Sequence, residues 1–297
     1  MVKTIYDVTV QSVKQWWRDD VFLYAAAIAF YTIFSLAPIL LISAGIASLV
    51  FSEQQAEDQI VKELENLTGS EGAKVARQVL QNVNLLKGSP MAVVIGLLTA
   101  LIGSTAVFAN LQSSLNHIWR VRSKKDLSMI KVLIRVRMRS FGIVLAVGFL
   151  LLVSMVFSAL LNGVQTLMAD QMKQISWVWQ LMNTLISIGV ITLLFAMIYK
   201  YLPDVKIAWQ DVIIGAALTS VLFTIGKTLI GLYLGQVAIG STYGAAGSFV
   251  VLLIWIYYSS LIFFFGAEFT HVYAHRFGRR IRPEKHAEKM EDDLAPG

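Results

Sequence analysis

The stretch "FTIGKTLIGLYLG", residues 223–235, holds a lysine inside an otherwise apolar run. Gly226-Lys227-Thr228 resembles the end of a phosphate-binding loop. That loop needs a glycine five positions earlier, preceded by a strand. Position 221 is Val221, and the surroundings are helical and apolar, so nucleotide chemistry is excluded. Lys227 then reads either as a functional charge inside a membrane or as a side chain that snorkels to the interface. His271 and His275 have the i, i+4 spacing of a metal pair on a helix. Arg276 and Arg279 crowd the second of them, and positive charge opposes a cation, so no metal site is expected. Glu268, in "FFFGAEFTH", is the second charge within an apolar run. There is no cysteine, Gly-x-Ser-x-Gly elbow or carboxylate cluster. The residues point to no enzyme and no cofactor.

The elements that must position these groups follow from composition. The 297 residues are 56% hydrophobic and 15% charged, with a mean hydropathy of +0.64. Soluble domains carry about 25% charged residues. Here the apolar residues form long blocks, the signature of membrane helices. The blocks predict an all-α, polytopic membrane protein with six transmembrane helices, over about 21–51, 90–109, 141–161, 177–199, 212–234 and 248–270. Residues 1–275 are expected to form one membrane domain. Residues 276–297, of mixed charge and with proline, are expected to be a disordered tail. With "RDD" before the first block and no cleavage site, the first span should serve as its own insertion signal.

Six spans place both termini on one side. That side carries nineteen Lys/Arg and the other five, with Lys227 apart. The positive-inside rule makes the basic side cytoplasmic. The charge surplus therefore belongs to a membrane-facing surface, and anionic lipid headgroups, rather than nucleic acid, are the expected partners. Ordinary topology signalling by positive charge is the plainer account of the same residues. Ile5, Val8, Val13, Trp16 and Trp17 suit an amphipathic helix on the inner leaflet, anchored by its tryptophans. Val107, Phe108, Leu111, Leu115, Ile118 and Trp119 share a helical face, so the second span should continue into an amphipathic helix. Lys131, Arg135 and Arg139 recur every four residues nearby. Residues 53–87 have apolar spacings of three and four around "TGSEG". They predict an extracytoplasmic helical hairpin and a surface for an envelope partner.

Depth separates the two intramembrane charges. Lys227 lies sixteen residues past Asp211, about 24 Å along a helix, in the outer half of the fifth span. Glu268 lies near the inner end of the sixth, beyond reach of Lys227. Its expected partners are Lys200, Lys206 or Arg276. In the first span, Tyr31, Thr32, Ser35 and Pro38 combine hydroxyl groups with a helix-kinking proline. Between spans five and six, "QVAIGSTYGAAGS" places Gly240, Gly244, Ala245 and Gly247 close together. Both features read either as packing and turn chemistry or as the lining of a binding cavity.

"AAAIAFYTIFSLAPILLI" at 25–42, "YLPDVKIAWQDVIIGA" at 201–216, "GKTLIGLYL" at 226–234 and "STYGAAGSFVVLLIWIYYSSLIFFFGAE" at 241–268 resemble the motifs of the YihY/BrkB family of bacterial inner-membrane proteins. The resemblance runs to about residue 275. It implies a six-span inner-membrane protein and places Tyr31, Pro38, Pro203, Lys227, Tyr243, Gly244, Trp255 and Glu268 in family motifs. One branch of that family is associated with virulence and serum resistance. An older label as a tRNA-processing ribonuclease finds no acid–base or metal cluster here.

These features point to a transporter or lipid-handling protein. Lys227, Tyr31, Ser35 and Tyr243 would meet an anionic or amphiphilic substrate. Pro38, Gly240, Gly244 and Glu268 would shape or gate its cavity. The other reading is a non-transporting scaffold acting through residues 53–87. No internal repeat is visible, and the chain alone indicates neither substrate nor oligomeric state.

Overall fold

The computed structural model describes residues 2–47, 52–68, 70–84, 90–124, 138, 176–236, 247–278 and 281–290. The third predicted span, Gly240, Tyr243 and Gly244 lie outside the described residues. The elements are α1 Val2–Arg18, α2 Val21–Ala47, α3 Glu53–Thr68, α4 Ser70–Asn84, α5 Pro90–Ile118, β1 Val121–Ser123, α6 Ser176–Tyr201, β2 Val205–Lys206, α7 Trp209–Gln236, α8 Gly247–Phe277, β3 Arg282–Pro283 and β4 Ala287–Lys289. Helix dominates. Three stretches among the described residues are long and apolar enough to cross a membrane, Thr184–Tyr201, Trp209–Tyr233 and Phe249–Phe277.

The chain divides into two compact units. One holds residues 20–111 and 223–264. In it Leu40 of α2 packs with Val61 of α3 and with Ala73, Ala76 and Leu80 of α4. The alanine spacing of three brings the helices close, and Ile60 and Val79 cover the cluster. At the start of α2, Val21, Ala25, Ile28 and Ala29 are buried while Leu23 and Phe30 are exposed. Pro38 and Ser35 fall within α2, but their side chains are outside the described set.

The other unit holds residues 1–19, 112–222 and 265–297. Here α1 runs antiparallel to the end of α8. Trp16 meets Phe265 edge-on at 6.4 Å, Val8 packs with Phe269 and Val272, and Asp7 meets Arg276 at 3.4 Å. Trp16 is therefore a packing residue here. Tyr6, Val13 and Trp17 form the exposed apolar stripe of α1. Gly215 and Gly266 let α7 and α8 touch. A methyl at Gly215 would collide with Thr270, and one at Gly266 with Thr219 and the Tyr199 hydroxyl. Buried hydroxyls are satisfied along their own helices, Thr219 by Gly215 O at 2.7 Å and Thr270 by Gly266 O at 2.6 Å.

The tail departs from the disorder expected of it. Over residues 281–290 it is ordered by strand pairing. β3 pairs antiparallel with β2, Val205 opposite Pro283. β4 pairs antiparallel with β1, Val121 opposite Lys289. The fold is thus mostly, rather than entirely, helical. Strands of two or three residues carry too little periodicity to be seen in a sequence, and their order depends on edges presented by distant segments.

Candidate functional site

Lys227 sits half-buried on α7. The residue before it, Gly226, is roofed by α8. A side-chain carbon there would come within 3.0 Å of the Tyr258 hydroxyl and 2.6 Å of the end of Ile262. One turn earlier, Phe223 meets Trp255 edge-on, with ring centres 6.1 Å apart. The Trp255 Nε1 is buried without a hydrogen-bond partner. An ammonium, a phenol hydroxyl and an indole N–H thus belong to facing stretches of α7 and α8. All three can donate to an anionic oxygen, and none is a carboxylate. Tyr31, on α2 of the same unit, is half-buried and packs edge-on against Phe30 at 5.7 Å. Trp255 and Tyr258 stand in a quoted motif, but their facing of the Lys227 segment is a tertiary fact.

Glu268 is placed differently from the sequence expectation. It is 0% exposed, and its neighbours are not Lys200, Lys206 or Arg276. Lys200 donates to Ile207 O, Lys206 lies exposed on β2, and Arg276 turns to Asp7. The charged groups that bear on Glu268 are Asp19, Arg120 and Arg18. Asp19 ends α1 and is 2% exposed. Arg120 Nη2 donates to both its oxygens at 2.8 Å. Arg120 has φ of 53°, a left-handed conformation that L-residues avoid. The ion pair holds it there, just past the end of α5. Around this pair, Glu268 Oε1 and Oε2, His271 Nδ1, Trp119 Nε1 and Gln15 Oε1 are buried without partners. The Trp119 and His271 rings meet at 5.2 Å, and His271 and His275 at 6.2 Å. The sequence singled out neither Asp19 nor Arg120, because their pairing spans a hundred residues.

A second polar cluster ties the tail down. Asp204, in the turn before β2, is buried. Its carboxylate accepts from Gln112 Nε2 at 3.2 Å and Asn116 Nδ2 at 2.9 Å, and lies 2.9 Å from His286 Nε2. Its backbone N–H donates to Asn116 Oδ1 at 2.7 Å, and its carbonyl accepts from Glu284 N at 2.9 Å. Gln112 and Asn116 are i, i+4 on α5, a polar pair on an otherwise apolar face, which is the one sequence signal that could have revealed the clasp.

A helix-dominated chain with three described helices long and apolar enough to span, and with polar groups bound inside it, is an integral membrane protein. It belongs to the family described as Virulence factor BrkB, whose model matches residues 12–291. Curated relatives carry the name UPF0761 membrane protein. One from Tolumonas auensis is 31% identical over 188 residues, 62% of this chain and 59% of the relative. One from Alteromonas mediterranea is 24% identical over 262 residues, 87% of this chain and 84% of the relative. One from Ralstonia nicotianae is 27% identical over 256 residues, 84% of this chain and 55% of the relative. The matches thus span less than two thirds of the Tolumonas and Ralstonia proteins. No solved structure matches the chain.

Proposed function

We propose that the protein is a six-span transporter or lipid-handling protein of the bacterial inner membrane, with both termini cytoplasmic and no enzymatic activity. Its substrate is anionic or amphiphilic, and Lys227 receives the anionic group, a phosphate or carboxylate. What carries the reading is the set of donors on the facing stretches of α7 and α8 that include the lysine, with the Tyr258 hydroxyl over Gly226 and the unpartnered indole N–H of Trp255. An ammonium in the apolar part of a helix costs roughly 2.5–3.5 kcal/mol at mid-membrane, and such charges are retained where they bind something. Tyr31, Ser35 and Tyr243 would line the same cavity, with Pro38, Gly240 and Gly244 shaping it. The exposed stripe of α1, beside Lys14 and Arg18, would rest on anionic headgroups.

The test is reconstitution in liposomes. Movement of labelled anionic phospholipid and of small organic anions is followed with wild-type protein and with Lys227→Met. The reading requires movement by wild type and its loss in the variant. Movement unchanged by Lys227→Met removes the lysine from the mechanism. A scaffold role is the second reading, favoured by the packed α3–α4 pair against Leu40. Deleting residues 53–87 would then abolish crosslinking to an envelope partner and leave flux intact.

A further inference from the structure

Charge does not balance at Glu268. The residue is fully buried, and neither oxygen meets a hydrogen-bond donor. The one guanidinium in its surroundings that is itself largely buried, Arg120, is already committed to both oxygens of Asp19. Arg18 is 60% exposed and reaches Asp19 only at 3.8 Å. An ionised Glu268 would be a second buried negative charge facing the first, which a low-dielectric interior strongly opposes. Among the described residues, the charged groups that bear on Glu268 are Asp19, Arg120 and Arg18 alone. α6 and α7 contribute Tyr199 and Thr219 at Gly266, hydrogen-bonded to each other at 3.2 Å. Among the described residues, no three His, Asp or Glu side chains are grouped so as to hold a metal ion.

A route leads outward from Glu268 on its own helix. His271 and His275 follow at i+3 and i+7, on one face of α8. His271 is nearly buried and its Nδ1 has no partner. His275 is exposed and touches the His271 ring. We infer that Asp19 and Glu268 form a carboxyl pair that binds one exchangeable proton beside the fixed charge of Arg120, reached from water through His275 and His271. In each uptake His275 takes a proton from water and hands one to His271. His271 then releases one to a Glu268 oxygen. Both imidazoles return to neutral, and the carboxylate becomes the acid. This site stands apart from the anion reading of Lys227 and survives its failure.

The experiment is infrared spectroscopy of the purified protein in lipid nanodiscs at neutral pH, with exchange into deuterium oxide. Wild type should show a protonated, buried carboxyl band that shifts on deuteration. Glu268→Gln should lose it. Asp19→Asn should lose it too, because Arg120 then neutralises Glu268 as a carboxylate. Arg120→Gln should strengthen it, since two carboxyls then need protons. His271→Phe should keep the band and slow its deuterium exchange. Absence of the band in wild type overturns the proposal, as does its persistence in both Glu268→Gln and Asp19→Asn. Unaltered exchange in His271→Phe overturns the histidine route. If Arg120→Gln does not fold, the wild-type, Asp19 and Glu268 measurements still decide.

Discussion

The polar groups around Lys227 and around Glu268 are built on opposite principles. On the facing stretches of α7 and α8 near Lys227 stand an ammonium, a phenol and an indole N–H, with Trp255 Nε1 unpartnered. Around Glu268 there is a crowded mixture of two carboxyls, a guanidinium and a histidine, with α1, α5 and α8 locked together by it. The first arrangement suits a guest that brings its own negative charge. The second is stabilising where Asp19 meets Arg120 and unbalanced only at Glu268. A buried neutral donor left unpaired, such as the indole N–H, costs less than a buried charge left unpaired. A buried ion pair tolerates no missing partner.

That contrast ranks the expected effects. The largest belongs to the ion pair. Arg120→Ala leaves Asp19 buried and unpaired and should cost about 3–5 kcal/mol, read as a large fall in the melting temperature in detergent. A melting temperature close to wild type would mean that water reaches Asp19, and the contrast would fail. Next, Gly215→Ala presses a methyl into Thr270, whose backbone is also close, and should cost about 1–3 kcal/mol. Gly226→Ala meets only the tips of Ile262 and Tyr258, so its cost should stay under about 1.5 kcal/mol. Equal losses would erase the difference between a locked region and a yielding one. Asn116→Ala removes two bonds from Asp204 and should cost about 1–3 kcal/mol, seen as faster proteolysis of residues 281–290. Lys227→Met removes a charge from the apolar part of a helix and should leave the melting temperature at or above that of wild type while abolishing anion movement. The smallest effect is Arg122→Ala. Its pair with Glu288, at 2.8 Å, is largely exposed on both sides and is worth about 0–1 kcal/mol before screening by salt.

How much of this was legible can be judged residue by residue. The apolar blocks gave α6 and α7 close to their observed bounds and the start of α8, which runs on to Phe277, because twenty apolar residues in a row have few other outcomes. The amphipathic continuation of the second block was also readable. Leu115, Ile118 and Trp119 share a face and are all buried at the end of α5. Lys227 declared itself as a charge where charge is costly. Its neighbours Tyr258 and Trp255 did not, since nothing local says which face of α8 meets α7. Glu268 was legible as a buried acid but was assigned the wrong partners. Lys200, Lys206 and Arg276 sit near it in topology, yet each is engaged elsewhere. The tail was read as disordered because it is polar and short. It is ordered because β1 and β2 offer it backbone edges and Asp204 offers His286 a buried carboxylate.

By itself the sequence determined the class of the protein, its family and the places of the described apolar helices. Those follow from hydropathy and local periodicity, which act over a few turns of chain. Only the tertiary structure decided which charges meet. Asp19 and Arg120 pair across a hundred residues, Asn116 and Asp204 across nearly as many, and Glu268 joins the first pair from the far end of the chain. No local rule encodes such pairings. They are selected by the requirement that a buried charge find a partner, and partners become available only once the helices have packed.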